Sequence, residues 1–240
     1  RCFHKVLWQG RAHETADGPA VTFTYHSPDG EEGFPGNLAV SVTYTLLRDW
    51  TLRLSYEASS DQPTPVNLTN HSYFNLRGHG TGSIREHELW LAASQYTPSD
   101  DTLVPTGAIE PVAGSALDFN QPRALGERLD ELADTPAGGY DHNLILDKPA
   151  GELTEVARLR DRVSGRVLTM RTTEPAVQLY TGNNLFGQTG KGGRSYPRHS
   201  AVCLEAQHYP DSVHHAHFPS IILEPGGTYR QVTEYQCSAE

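Results

Sequence analysis

The chain has 240 residues, 37% of them hydrophobic and 20% charged, which is enough apolar content to bury a core and excludes an intrinsically disordered chain. With 29 acidic against 19 basic side chains the formal net charge is -10, which argues against a nucleic-acid partner, because phosphate backbones call for a basic surface. No apolar run approaches the roughly 18–20 residues that cross a bilayer as a helix, so no membrane partner is expected.

The chain opens Arg1-Cys2-Phe3-His4, its only methionine is Met170, and no signal-like apolar stretch follows, so it reads as truncated at the N-terminus. Phe3, Val6, Leu7 and Trp8 already read as ordered structure. Period-two alternation then dominates: Val21/Phe23/Tyr25, Leu38 to Leu46, Leu52/Leu54/Tyr56, His87/Leu89/Leu91, Val202/Leu204/Ala206 and Tyr229–Tyr235. Glycine and proline punctuate these runs as turns, as in Ser27-Pro28-Asp29-Gly30 and Glu224-Pro225-Gly226-Gly227. Only 124–132 reads as a helix, with Leu125, Leu129 and Leu132 along one side. Many short strands between turns predict an all-β sandwich or barrel, a single domain over residues 1–240. Cys2, Cys203 and Cys237 show neither CxxC nor metal-ligand spacing, which suits free thiols in a reducing compartment such as the cytoplasm.

Three segments carry polar residues where a plain sandwich needs none. If a strand runs through 66–75, Asn67, Thr69, His71 and Tyr73 share one face. Gln178 and Tyr180 point together from a second strand, and Cys203, Glu205 and Gln207 lie opposite Val202 and Leu204 on a third. Amides, a carboxylate, an imidazole and phenols make a suitable lining for a sugar, whose hydroxyls need both donors and acceptors. Each residue alone has a plainer reading: His71 as a hydrogen-bonded structural histidine, Glu205 as a solvated strand carboxylate. His214-His215-Ala216-His217 invites a metal, but no third and fourth ligand stand at a suitable spacing, and an exposed His-rich loop is the expectation. Lys191, Arg194 and Arg198 lack any phosphate-loop spacing and read as a solvated loop.

The ten residues Asn67-Leu68-Thr69-Asn70-His71-Ser72-Tyr73-Phe74-Asn75-Leu76 closely resemble the signature of the galactose mutarotase (aldose 1-epimerase) family. The resemblance continues in order through 96–98, 103–107, 139–143, 178–183 and 203–207, and so covers nearly the whole chain. It implies a large antiparallel β-sandwich with the sugar site on a concave sheet. It further implies Glu205 as the base at the anomeric hydroxyl, His71 as the acid at the ring oxygen, and Asp141, Gln178 and Asn70 as substrate ligands, with no metal and no cofactor. The activity implied is interconversion of the α and β anomers of an aldohexose such as galactose or glucose. The alternatives are a non-catalytic carbohydrate-binding module on the same scaffold, or a hexose-6-phosphate 1-epimerase, for which Arg194 and Arg198 are the only basic candidates. In the family an arginine and a second histidine stand upstream of the segment that Arg1 to Trp8 resembles. The expectation is therefore a sandwich lacking its N-terminal strands, with exposed edges, poor solubility and little activity on its own.

Overall fold

Alternating side chains become two packed antiparallel sheets. The structure, a computed structural model, describes residues 2–240. The larger sheet has nine strands in the order Gln9–Glu14, Pro19–Ser27, Leu38–Leu46, Thr51–Ser60, Tyr229–Ala239, Arg166–Thr172, Thr154–Arg160, Glu88–Leu91 and Arg123–Ala124. The smaller has five: Cys203–Gln207, Ala176–Tyr180, Asp141–Leu146, Ala93–Thr97 and Glu110–Pro111. Leu54, Leu89, Leu159 and Met170 of the first meet Leu144, Leu179 and Leu204 of the second in one continuous core. Each fully buried aliphatic side chain there contributes about 1.5–3 kcal/mol relative to an exposed one. Because a strand gives only alternate residues to one face, the other face of the smaller sheet is left to alternate, largely polar residues: Cys203 and Glu205, Gln178 and Tyr180, Asp141 and Asn143. That face carries the site.

The N-terminal segment is ordered as its sequence suggests. Phe3–Lys5 forms a 3-10 turn, Trp8 Nε1 donates to the Phe3 carbonyl at 2.8 Å, and the rings of Phe3, Trp8 and Tyr25 pack at 5.6–5.9 Å. Among the described residues no helix is long and apolar enough to cross a membrane, and Cys2, Cys203 and Cys237 are all free thiols.

Two segments depart from the sequence expectation. Residues 124–132 form no α-helix: Arg123–Ala124 pairs with Glu88 and Leu89, and two 3-10 turns follow, Leu125–Glu127 and Leu129–Leu132. Their backbone donors are taken by a neighbour, Leu125 N–H by the His87 carbonyl and Gly126 N–H by the Arg85 carbonyl. Gly126 permits that close approach, since a Cβ would lie 2.7 Å from Arg85 Cβ. Residues 66–73 likewise form no strand ladder. Thr64–Pro65 pairs with Ile222–Leu223, and Phe74 makes a lone bridge to Val202. Between them asparagine side chains bond the local backbone, Asn70 Oδ1 accepting from Ser72 N–H, and such bonds compete with a ladder.

Candidate active site

The strand Cys203–Gln207 lies at the edge of the smaller sheet, and its even-numbered residues turn their backbone outward. Every outward carbonyl from 202 to 208 is capped. Leu204 O accepts from Tyr235 Oη at 2.7 Å and Ala206 O from Gln231 Nε2 at 3.0 Å, both from the facing sheet. Val202 exchanges two backbone bonds with Phe74, and His208 exchanges two with the Asn67 side chain, at 3.0 Å each. Residues 67–74 therefore form a strap running antiparallel to the strand, tied at Asn67 opposite His208 and at Phe74 opposite Val202. Counting inward from both ties places His71 beside Glu205, and His71 Nδ1 lies 3.5 Å from Glu205 Oε1.

Cross-strand register completes the face. Glu205 stands opposite Gln178, Gln178 opposite Asn143 and Asn143 opposite Thr97; in the next row Cys203 stands opposite Tyr180 and Tyr180 opposite Asp141. Gln178 Nε2 donates to Asp141 Oδ1 at 2.7 Å, and Asn143 Nδ2 to Thr97 Oγ1 at 3.1 Å. The amide oxygens of Gln178 and Asn143 are buried without a hydrogen-bond partner among the described residues. Unpartnered acceptors on a polar face suit a ligand that brings hydroxyl donors. Tyr73 stacks on the His71 ring at 5.0 Å, and Tyr180 meets both rings edge-on at 5.9 and 6.2 Å. Beside the strap lies a groove of about 1050 Å³, lined in part by His4, Asn70 and His71 and otherwise largely by apolar side chains; Glu205, Gln178 and Asp141 do not line it.

Asp141 is positioned from the loop after the Gln178 strand. Thr181 Oγ1 accepts from Tyr140 N–H at 3.2 Å, and Asn183 Nδ2 donates to the carbonyls of Ala137 and Tyr140 at 2.9 Å. Gly139, at φ 156°, lets this loop close, because a Cβ would sit 2.4 Å from Asn183 Oδ1.

The electrostatics follow from burial. Burial, with the charge of Asp141 adding to it, pushes the Glu205 carboxyl up to about 8. Burial also raises Asp141, against the opposing pull of its Gln178 hydrogen bond and of His71. His71, half-exposed, is lowered by partial desolvation. A carboxyl held above its ordinary range beside an imidazole held below its own is a pair that can share one proton near neutrality.

Of the residues singled out from the sequence, Glu205, His71, Asp141 and Gln178 come together on this face. Asn70 lies within the strap, where Nδ2 donates to Tyr44 Oη at 3.3 Å and Oδ1 is engaged by Ser72, so its amide is partly spent on the protein. His142, adjacent to Asp141 in sequence, projects from the opposite face, accepts from Asp141 N–H and is driven by burial to about 4. It takes no part in the site. The sequence reading missed Asn143, although its spacing of two from Asp141 puts both on one strand face. His214 and His215 both reach Asp211, and His217 reaches the Gly107 carbonyl, a loop held by its own hydrogen bonds.

Comparison with known proteins identifies the family and the fold. The aldose 1-epimerase family profile matches residues 3–236. The chain is 48% identical over 237 residues to galactose mutarotase of Mus musculus, covering 98% of this chain and 67% of that protein. It is 47% identical over 239 residues to galactose mutarotase of Homo sapiens, covering 99% and 67%. A solved aldose epimerase homologue from C. elegans superposes with a TM-score of 0.85 at 31% identity, over 97% of this chain and 68% of that one. The chain thus spans about two thirds of the length of these relatives.

Proposed function

The chain belongs to the aldose 1-epimerase family, and from that premise we propose that it interconverts the α and β anomers of an aldohexose, with Glu205 and His71 as base and acid. The observation that carries the assignment is the 3.5 Å approach of His71 to Glu205. A hemiacetal bears its hydroxyl and its ring oxygen on the same carbon, so the groups that take one proton and give the other must stand close together. Glu205 removes the proton of the C1 hydroxyl, the C1–ring-oxygen bond breaks as C1 becomes a carbonyl, and His71 protonates the departing oxygen. Rotation about C1–C2 presents the other carbonyl face. Closure then reverses the transfers, His71 taking back a proton and Glu205 returning one, so the pair is unchanged after a cycle. Asp141 and the free oxygen of Gln178 are placed to hold sugar hydroxyls. The unpaired thiols support work in a reducing compartment such as the cytoplasm.

Polarimetry of freshly dissolved α-D-galactose tests the proposal: the chain should speed the decay of optical rotation measurably, at a rate below that of a full-length relative, whereas sugar binding without any acceleration would leave a carbohydrate-binding module. Two variants separate binding from positioning. Gln178→Ala, which removes a ligand and frees Asp141, should raise KM about tenfold or more, with kcat changed less, as expected when one or two hydrogen bonds of about 1 kcal/mol each are lost. An unchanged KM would take Gln178 out of the substrate contacts. Asn67→Ala cuts one tie of the strap to the Glu205 strand and touches no reacting atom. It should lower kcat about 10–100-fold, because a shift of 1 Å in a catalytic group has effects of that size. A kcat within twofold of the parent would mean that Phe74 alone registers the strap.

A further inference from the structure

The donors around Glu205 suggest a second kind of ligand. Cys203 stands two residues before Glu205 on the same strand face and is fully buried. A sulfur, an imidazole nitrogen and a carboxylate oxygen, from Cys203, His71 and Glu205, all lie within 4.8 Å of one another. A tetrahedral Zn²⁺ holds S, N and O donors about 3.3–3.6 Å apart, given bonds of about 2.3 Å to sulfur and 2.0–2.1 Å to nitrogen or oxygen. His71 Nδ1 and Glu205 Oε1 are already at 3.5 Å, and the Cys203 sulfur, within 4.8 Å of a donor on each, has at most about 1.5 Å to close. His71 is half-exposed and opens the way in from solvent. We propose that Cys203, His71 and Glu205 form a binding site for a thiophilic divalent cation of the Zn²⁺ class, and that the bound cation inhibits by occupying both proton-transfer groups.

The donor set defines the class of ion. A thiolate with an imidazole favours Zn²⁺ or Co²⁺, whereas Mg²⁺ and Ca²⁺ prefer six or more oxygens and find one carboxylate here. Binding turns the thiol into a thiolate and releases to solvent both its proton and the one that Glu205 and His71 share, with no change of oxidation state. The fourth position is left to water. Binding of the ion stands apart from the epimerase assignment; only the inhibition rests on it.

The test uses the full chain, its Cys203→Ser and Cys203→Ala variants, and His71→Asn, in a buffer that does not chelate metals. Cobalt(II) added to the parent should produce the intense near-ultraviolet band of a thiolate–cobalt bond. Both Cys203 variants should lack it, and His71→Asn should need at least about tenfold more cobalt to reach it. In polarimetry, Zn²⁺ should inhibit the parent at concentrations at least about tenfold below those that inhibit either Cys203 variant, with Mg²⁺ without effect. A parent without the band, or a band that survives loss of Cys203 and so belongs to Cys2 or Cys237, overturns the site. Should the chain bind cobalt through Cys203 yet turn over no sugar, the epimerase assignment fails and the metal site stands.

Discussion

Glu205→Gln should lower turnover by at least about two orders of magnitude while leaving sugar affinity within a few-fold. A positioned proton-transfer group contributes about 10²–10⁴-fold, and glutamine keeps the side-chain shape and an acceptor oxygen but cannot take the anomeric proton. Polarimetry with fresh α-D-galactose gives the rate, and calorimetric titration with the sugar gives the affinity. A variant within threefold of the parent would remove Glu205 from the mechanism. The same substitution should raise Tm at neutral pH. The folded-state pKa of Glu205 lies above its ordinary value, so between about 4.5 and 8 the native chain binds more proton than the unfolded chain, and stability falls as pH rises through that window. A neutral amide escapes that loss. Lower activity with higher Tm is the signature of a group kept for chemistry at a cost in stability.

Much of this was legible in the chain, for identifiable reasons. Burial of one face imposes alternation, so Val202, Leu204 and Ala206 announced their strand, and Glu205 was thereby placed on the face away from the core. Asp141, Gln178 and Glu205 come from three strands far apart in sequence. Their meeting depends on pairing registers that periodicity does not specify, and only resemblance to the aldose 1-epimerase family linked them. The segment 66–75 reads as a strand because Val66 and Leu68 alternate with Asn67, Thr69, His71 and Tyr73. Asn67 bonds the edge of another strand and Asn70 the neighbouring backbone instead, so no ladder forms. Likewise, leucines spaced as in a helix at Leu125, Leu129 and Leu132 lost to Gly126 and to the carbonyls of Arg85 and His87, which took the backbone donors. His142 adjoins Asp141 in sequence, but consecutive strand residues leave opposite faces, and His142 pairs with Leu179 on the side away from the site.

His71→Asn should convert a bell-shaped pH–rate profile into one that rises and stays level, with kcat at neutral pH lower by about 10²-fold or more. The parent profile follows from the proton inventory. Burial lowers His71 and raises Glu205, so at low pH both carry a proton and no base is available, while well above about 8 neither does and no acid is available. Between those limits the pair holds one proton. The reactive arrangement, carboxylate with imidazolium, is then a minor tautomer of the more populated carboxylic acid with neutral imidazole, and the two limbs belong to the pair. Sugar binding displaces water from both groups, and the 3.5 Å separation keeps that proton within reach of either. Without the imidazole, Glu205 can still remove the anomeric proton once ionised, so the rise toward high pH remains and the fall beyond about 8 disappears. The measurement is kcat/KM by polarimetry from pH 5 to 10, corrected for the buffer-catalysed rate at each pH. A descending limb that persists in His71→Asn would assign the acid to another group on this face. Tyr73, stacked on His71 and pushed by burial up to about 12, would then be the next residue to replace.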